Sequence, residues 1–142
     1  MYFSAQKTPS RCPEHAQSWY DLACCFDFLG REIEAEPAYQ KVFELGPAQL
    51  SEKDHVGFYV GFGSTLRNNH KLVESFKILS EGVSKFPNYT ALQVFLGFTL
   101  YSMGKHQEAS AVLFKMAGQL PNNIMDGYER AVKWYSDNLD KV

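Results

Sequence analysis

The chain has 142 residues, 45% of them apolar and 15% aromatic, with a formal charge of −2. That length suits one compact domain or a short repeat array, and that apolar content excludes a disordered chain. The 14 basic and 16 acidic residues are scattered rather than gathered into runs. They set up no long-range field for nucleic acid or an anionic membrane, so neither is expected as a partner.

The first residues, Met1 to Lys7, show no basic stretch followed by an apolar one, which argues against a secretory signal. No segment approaches the roughly 18 consecutive apolar residues of a membrane helix. Three cysteines cannot all pair, and the adjacent Cys24 and Cys25 are badly placed for a mutual disulfide. A reducing, cytoplasmic setting is expected.

Apolar spacing and punctuation predict seven helices, near 14–29, 32–45, 52–68, 71–85, 88–103, 105–119 and 123–139, and no strand longer than three residues. Gly30 and Gly104 sit at expected helix–helix turns, where a positive φ costs glycine little. His70 takes the corresponding place in the middle of the chain, beside Asn68 and Asn69, which tolerate left-handed backbone. Pro37 is expected near the first turn of the second helix, where its missing N–H costs least. Ser51, with Asp54 three residues on, resembles a capping box, and Asn88 after Pro87 is the expected N-cap of the fifth helix. The closing stretch carries Tyr128, Val132, Trp134, Tyr135 and Leu139 near helical spacing among charged residues, and is expected to cover the open end of what precedes it.

Self-similarity organises these helices. Trp19, Leu22, Ala23, Phe26, Gly30, Ala35, Tyr39 and Pro47 form one row. Tyr59, Phe62, Gly63, Leu66, His70, Ser75, Leu79 and Pro87 form a second, and Gln93, Leu96, Gly97, Leu100, Gly104, Ala109, Leu113 and Pro121 a third. The closing prolines lie 34 residues apart from Pro87 to Pro121 and 40 apart from Pro47 to Pro87, so about six residues around Gln49–Asp54 lengthen one connection. Pro13 lies 34 before Pro47 and fits the close of an earlier repeat, either half a repeat or the remnant of a longer array.

These rows resemble the tetratricopeptide repeat, W-x2-L-G-x2-Y, then A-x3-F, then P. The resemblance implies an all-α fold of antiparallel A and B helix pairs in a right-handed superhelix with a C-terminal capping helix. It divides the chain into a tail or repeat remnant over 1–12 and one domain over 13–142, with repeats near 16–49, 56–89 and 90–123. The small eighth and twentieth places would let each A helix approach its own B helix, with large residues at the seventh, eleventh and twenty-fourth filling the space. Segments such as Ala35–Tyr39, Ala91–Leu96 and Tyr135–Asp140 are similar to small bacterial proteins of this family whose cellular role is uncertain. That similarity implies scaffolding of interactions and allows dimerisation.

Residues capable of chemistry are sparse. His15, His55, His70 and His106 lie far apart, with no second His or Cys three or four residues on, and read as solvated histidines rather than a metal site. Cys24 and Cys25 have no basic neighbour to lower a thiol pKa and read as packing residues. Gly57 and Gly61 leave two bare positions on one helical face, fit either for close helix approach or for a ligand or second subunit. Glu32, Glu34 and Glu36 read as solvated acids near the positive end of a helix dipole. No catalytic residue, metal ligand or cofactor is expected.

In this family the A helices line the concave face through places two, five, nine, twelve and thirteen. Carried over, these are Gln17, Tyr20, Cys24, Asp27 and Phe28; Gly57, Val60, Ser64, Arg67 and Asn68; and Ala91, Val94, Phe98, Tyr101 and Ser102. The Lys and Asn with which chaperone-binding members clamp a chain-end carboxylate are replaced by Tyr20 and Cys24, so that activity is not expected. The expected function is a protein- or peptide-binding scaffold, with Tyr20, Phe28, Phe98 and Tyr101 as aromatic anchors and Asp27 and Arg67 setting register. The fifth helix is apolar nearly all round, so a structural homodimer or regulatory fragment whose groove fills itself is the alternative.

Overall fold

The computed structural model describes residues 15–121 and 127–138. Seven α-helices run in order among these residues: α1 (Ala16–Phe28), α2 (Glu32–Leu45), α3 (Glu52–Asn68), α4 (Leu72–Lys85), α5 (Thr90–Ser102), α6 (His106–Gly118) and α7 (Glu129–Asp137). No strand occurs among them. Each helix packs on the next, so α1/α2, α3/α4 and α5/α6 form successive helix pairs and α7 lies against α6.

One turn is used three times. Gly30, His70 and Gly104 have φ of 70°, 63° and 78°. Following each of them, Arg31, Lys71 and Lys105 donate their N–H to the carbonyls of Phe26, Leu66 and Leu100 at 2.8–3.0 Å. That backbone bond closes a Schellman motif, which satisfies orphan carbonyls at the end of the A helix. The basic residue of each turn is the N-cap of the B helix that follows. Lys71 pairs with Glu36 of the preceding repeat, the Lys105 ammonium lies 5.8 Å from the Phe76 ring centroid, and Arg31 forks onto Glu34 of its own repeat. Glu36 also accepts from Asn69 at 2.8 Å, so this acid joins two repeats instead of standing solvated.

The core follows the repeat places. Ala23, Ala35, Tyr39, Phe58, Phe62, Leu79 and Leu92 are almost fully buried. A Cβ on Gly63 would fall 2.4 Å from Leu79 Cγ, which is the close A–B approach implied for the eighth place. The fully buried Ser75 hydroxyl donates to the Gly63 carbonyl at 2.7 Å and lies 2.9 Å from the Thr99 hydroxyl of the next repeat.

The longer connection has a structure of its own: Pro47–Gln49 make a 3₁₀ turn and Leu50 inserts into the core. Ser51 caps α3 by accepting the Asp54 N–H at 3.2 Å, while the Asp54 carboxylate accepts from Gln17 instead of completing the box.

Three local expectations are corrected. Pro37 is the sixth residue of α2, past the first turn, so the Ile33 carbonyl lacks its helical donor there. At α5 the N-cap is Tyr89, not Asn88, and its side chain makes no capping bond. The last helix begins at Glu129, because Gly127 has φ 91° and Tyr128 is not helical. Its expected start at 123, and the repeat remnant around Pro13, lie outside the described residues.

Candidate interaction surface

Helix α1 packs against α3 and α3 against α5, so the three A helices share one face. Its two halves differ. Between α1 and α3 the face is closed by its own side chains. Tyr20 is 9% exposed, and its hydroxyl rests on bare Gly57, where a Cβ would come within 2.6 Å. Tyr39 of α2 reaches through to the same place. Its hydroxyl donates to Asp27 Oδ2 at 2.5 Å, and Asp27 Oδ1 accepts the Thr65 hydroxyl at 2.9 Å.

The half-buried Cys24 thiol lies against the Tyr20 and Tyr39 hydroxyls, and burial pushes its pKa up. Burial also raises both phenols, and hydrogen bonding to the Asp27 carboxylate raises Tyr39 further. Both rings therefore stay neutral donors across the physiological range. Asp27 ties α1 to α2 and α3 in one network.

This geometry corrects several expectations. Gly57 and Gly61 are bare because Tyr20 and Tyr39 lie on them, which is the close-approach alternative and leaves no room there for a second subunit. Tyr20 is a packed ring rather than an exposed anchor. Asp27 has both oxygens engaged inside the fold, which leaves it little to offer a partner. Cys25, expected to pack, is exposed. His55, expected to be solvated, sits between Tyr59 and Phe86 with ring centroids 5.7 and 5.0 Å away, and burial lowers its pKa.

The α3/α5 half remains open. Val60, Ser64 and Val94 are half-buried along its floor. Phe98 is 45% and Tyr101 64% exposed. Phe98 is braced edge-on by Phe95 at 5.7 Å, and Tyr101 by His106 at 4.5 Å. Arg67 crosses between the helices: Nε donates to Ser102 Oγ at 3.0 Å, and Cζ lies 5.8 Å from the Phe98 ring centroid. Asn68 and Phe28 are exposed at the C-terminal ends of α3 and α1.

Helical repeats at a 34-residue period, with this turn and this A-helix face, define an architecture that a comparison can decide. A family model for the tetratrico peptide repeat matches residues 16–139. The chain belongs to the tetratrico peptide repeat family. No curated protein matches it. Tetratrico peptide repeats are generally non-catalytic scaffolds that engage proteins or peptides. Among the described residues no three His, Cys, Asp or Glu side chains are grouped to hold a metal ion. No described helix is long and apolar enough to cross a membrane.

Sequence reasoning missed Tyr39 and Thr65 as members of the A-face network. A signal for Thr65 was present: Thr65 and Thr99 occupy the same repeat place, both fully buried, and both bond back to the preceding repeat. The bases at Arg31, Lys71 and Lys105 likewise recur at one place.

Proposed function

We propose that this tetratrico peptide repeat protein is a protein- or peptide-binding scaffold whose contact surface is the α3/α5 half of the A-helix face. One observation carries the proposal. Phe98 and Tyr101 stand 45% and 64% exposed, braced by Phe95 and His106, with Phe98 beside Arg67, while the α1/α3 half is filled internally. Exposed aromatics that become desolvated on binding are frequent hot spots, at about 2 kcal/mol or more each. Val60, Ser64 and Val94 would supply the floor, and Phe28 and Asn68 the rim. The free thiols at Cys24 and Cys25 support a reducing, cytoplasmic setting.

The test is quantitative capture of partners from the source cell by the wild-type chain and by Phe98→Ala/Tyr101→Ala, with Phe43→Ala on α2 as the control. Loss in the double variant alone supports the surface, and undiminished capture refutes it.

Self-association is the second proposal, favoured by the same exposed aromatics on α5 together with Tyr128, Trp134 and Tyr135 at 52–69% exposure. The Gly57/Gly61 face no longer argues for it. Light scattering separates the two, since a dimer has twice the 16.2 kDa of the chain.

A further inference from the structure

We infer that the segment held on the α3/α5 surface carries an internal Asp or Glu side chain, received by Arg67 between apolar residues seated on Phe98 and Tyr101. This deepens the binding proposal above and rests on it.

Two of the three bases at the repeat turns are matched to acids, Arg31 with Glu34 and Lys71 with Glu36, and the third, Lys105, lies by the Phe76 ring. Arg67 has no carboxylate partner among the described residues. Its nearest acid on the A face, by repeat place, is Asp27, whose oxygens are taken by Tyr39 and Thr65. The guanidinium is nevertheless held in position. Nε is fixed on Ser102 Oγ at 3.0 Å and the plane is backed by Phe98 with Cζ 5.8 Å from the ring centroid. That leaves the Nη1 and Nη2 donors without a protein acceptor among the described residues. A guanidinium ordered in advance loses little entropy on donating a fork of two hydrogen bonds, and a carboxylate accepts that fork.

Valence narrows the choice of anion. Arg67 lies in the last turn of α3, where the helix dipole is negative. One guanidinium there balances a monoanion and leaves a phosphate dianion with excess charge. The apolar floor continues on both sides of Arg67, toward Val60 on α3 and Phe98 on α5, so the acid belongs within a segment rather than at its end.

The probe is an array of short peptides, acetylated and amidated at their ends. Apolar residues are varied around a central Glu, Gln, Lys or phosphoserine, and a matching set has free C-termini. The full chain is applied as wild type, Arg67→Gln, Arg67→Glu and Ser102→Ala, each first checked for native melting.

The expected result is a preference for central Glu over Gln of roughly tenfold, the size of a charge-assisted hydrogen bond. Arg67→Gln should abolish that preference, Arg67→Glu should shift it toward Lys, and Ser102→Ala should reduce it without changing its sign. Bound peptides with no Glu preference, or a preference that survives Arg67→Gln, overturn the inference while leaving the binding surface intact. Selection of phosphoserine or of free C-termini overturns it by moving the anion elsewhere. An array on which nothing binds defeats both this inference and the binding surface it rests on.

Discussion

Gly61→Ala tests whether the α1/α3 half of the A face is closed by packing. A Cβ there would lie 2.3 Å from the Tyr39 hydroxyl, 2.8 Å from Cζ and 3.2 Å from Cε1. The ring has nowhere to go: Tyr39 is 2% exposed, stacked on Phe62 at 5.8 Å and edge-on to Tyr20 and Phe58. Alanine gains about 1 kcal/mol of helix propensity. Against this stand the Tyr39–Asp27 hydrogen bond, worth about 1.5–3 kcal/mol because its acceptor is charged, and an overpacking cost of about 1–3 kcal/mol. The net expectation is a loss of about 1.5–5 kcal/mol, read as a lower urea midpoint at unchanged slope by far-UV circular dichroism. Tyr39→Phe removes the atom in closest conflict, so the double variant should be less destabilised than the sum of the singles by about 1 kcal/mol or more. A Gly61→Ala chain as stable as wild type, or stabilised by the propensity term alone, would refute the packing argument.

Other outcomes follow from the same geometry. Tyr20→Ala should cost about 3–5 kcal/mol as a core truncation, whereas Tyr101→Ala, at an exposed position, should stay within about 0.5 kcal/mol. Equal losses in denaturant would contradict the division of the face. For His55 the folded pKa lies below its unfolded value. The unfolded chain then binds the proton more readily, and stability should fall as pH drops through the ordinary histidine range near 6.5. His55→Phe should flatten that slope in pH-dependent melting, and an unaltered slope would assign it to another group. Maleimide labelling with peptide mass spectrometry should modify exposed Cys25 well before Cys24, whose thiol is half-buried and raised in pKa; the reverse order would show that the Tyr20/Tyr39 cover is absent.

The repeat was legible because its places are chemical requirements that recur. Small residues at the eighth and twentieth places, a left-handed turn residue and a closing proline constrain helix pairs wherever they fall. His70 was readable as a turn residue through its neighbours and its phase, and it has φ 63°. The division of the A-helix face was not legible. A place number gives the direction a side chain leaves its helix, not how far a neighbour reaches. Tyr39 belongs to a B helix, and only the missing side chains at Gly57 and Gly61 let Tyr20 and Tyr39 lie across α3. Asp27 and Arg67 occupy the same place in successive repeats. The first is saturated by Tyr39 and Thr65 and the second is not, a difference that depends on partners 12 and 38 residues away from Asp27.

The most direct test of the account is site-specific photo-crosslinking in the source cell, with a benzophenone side chain placed singly at 94, 98, 101, 20 and 43. Adducts should form from positions 94, 98 and 101 on the open half, and be absent from 20, within the closed half, and from 43 on α2. Adducts from 20 or 43 with none from 98 and 101 would place the partner on another surface and contradict the account.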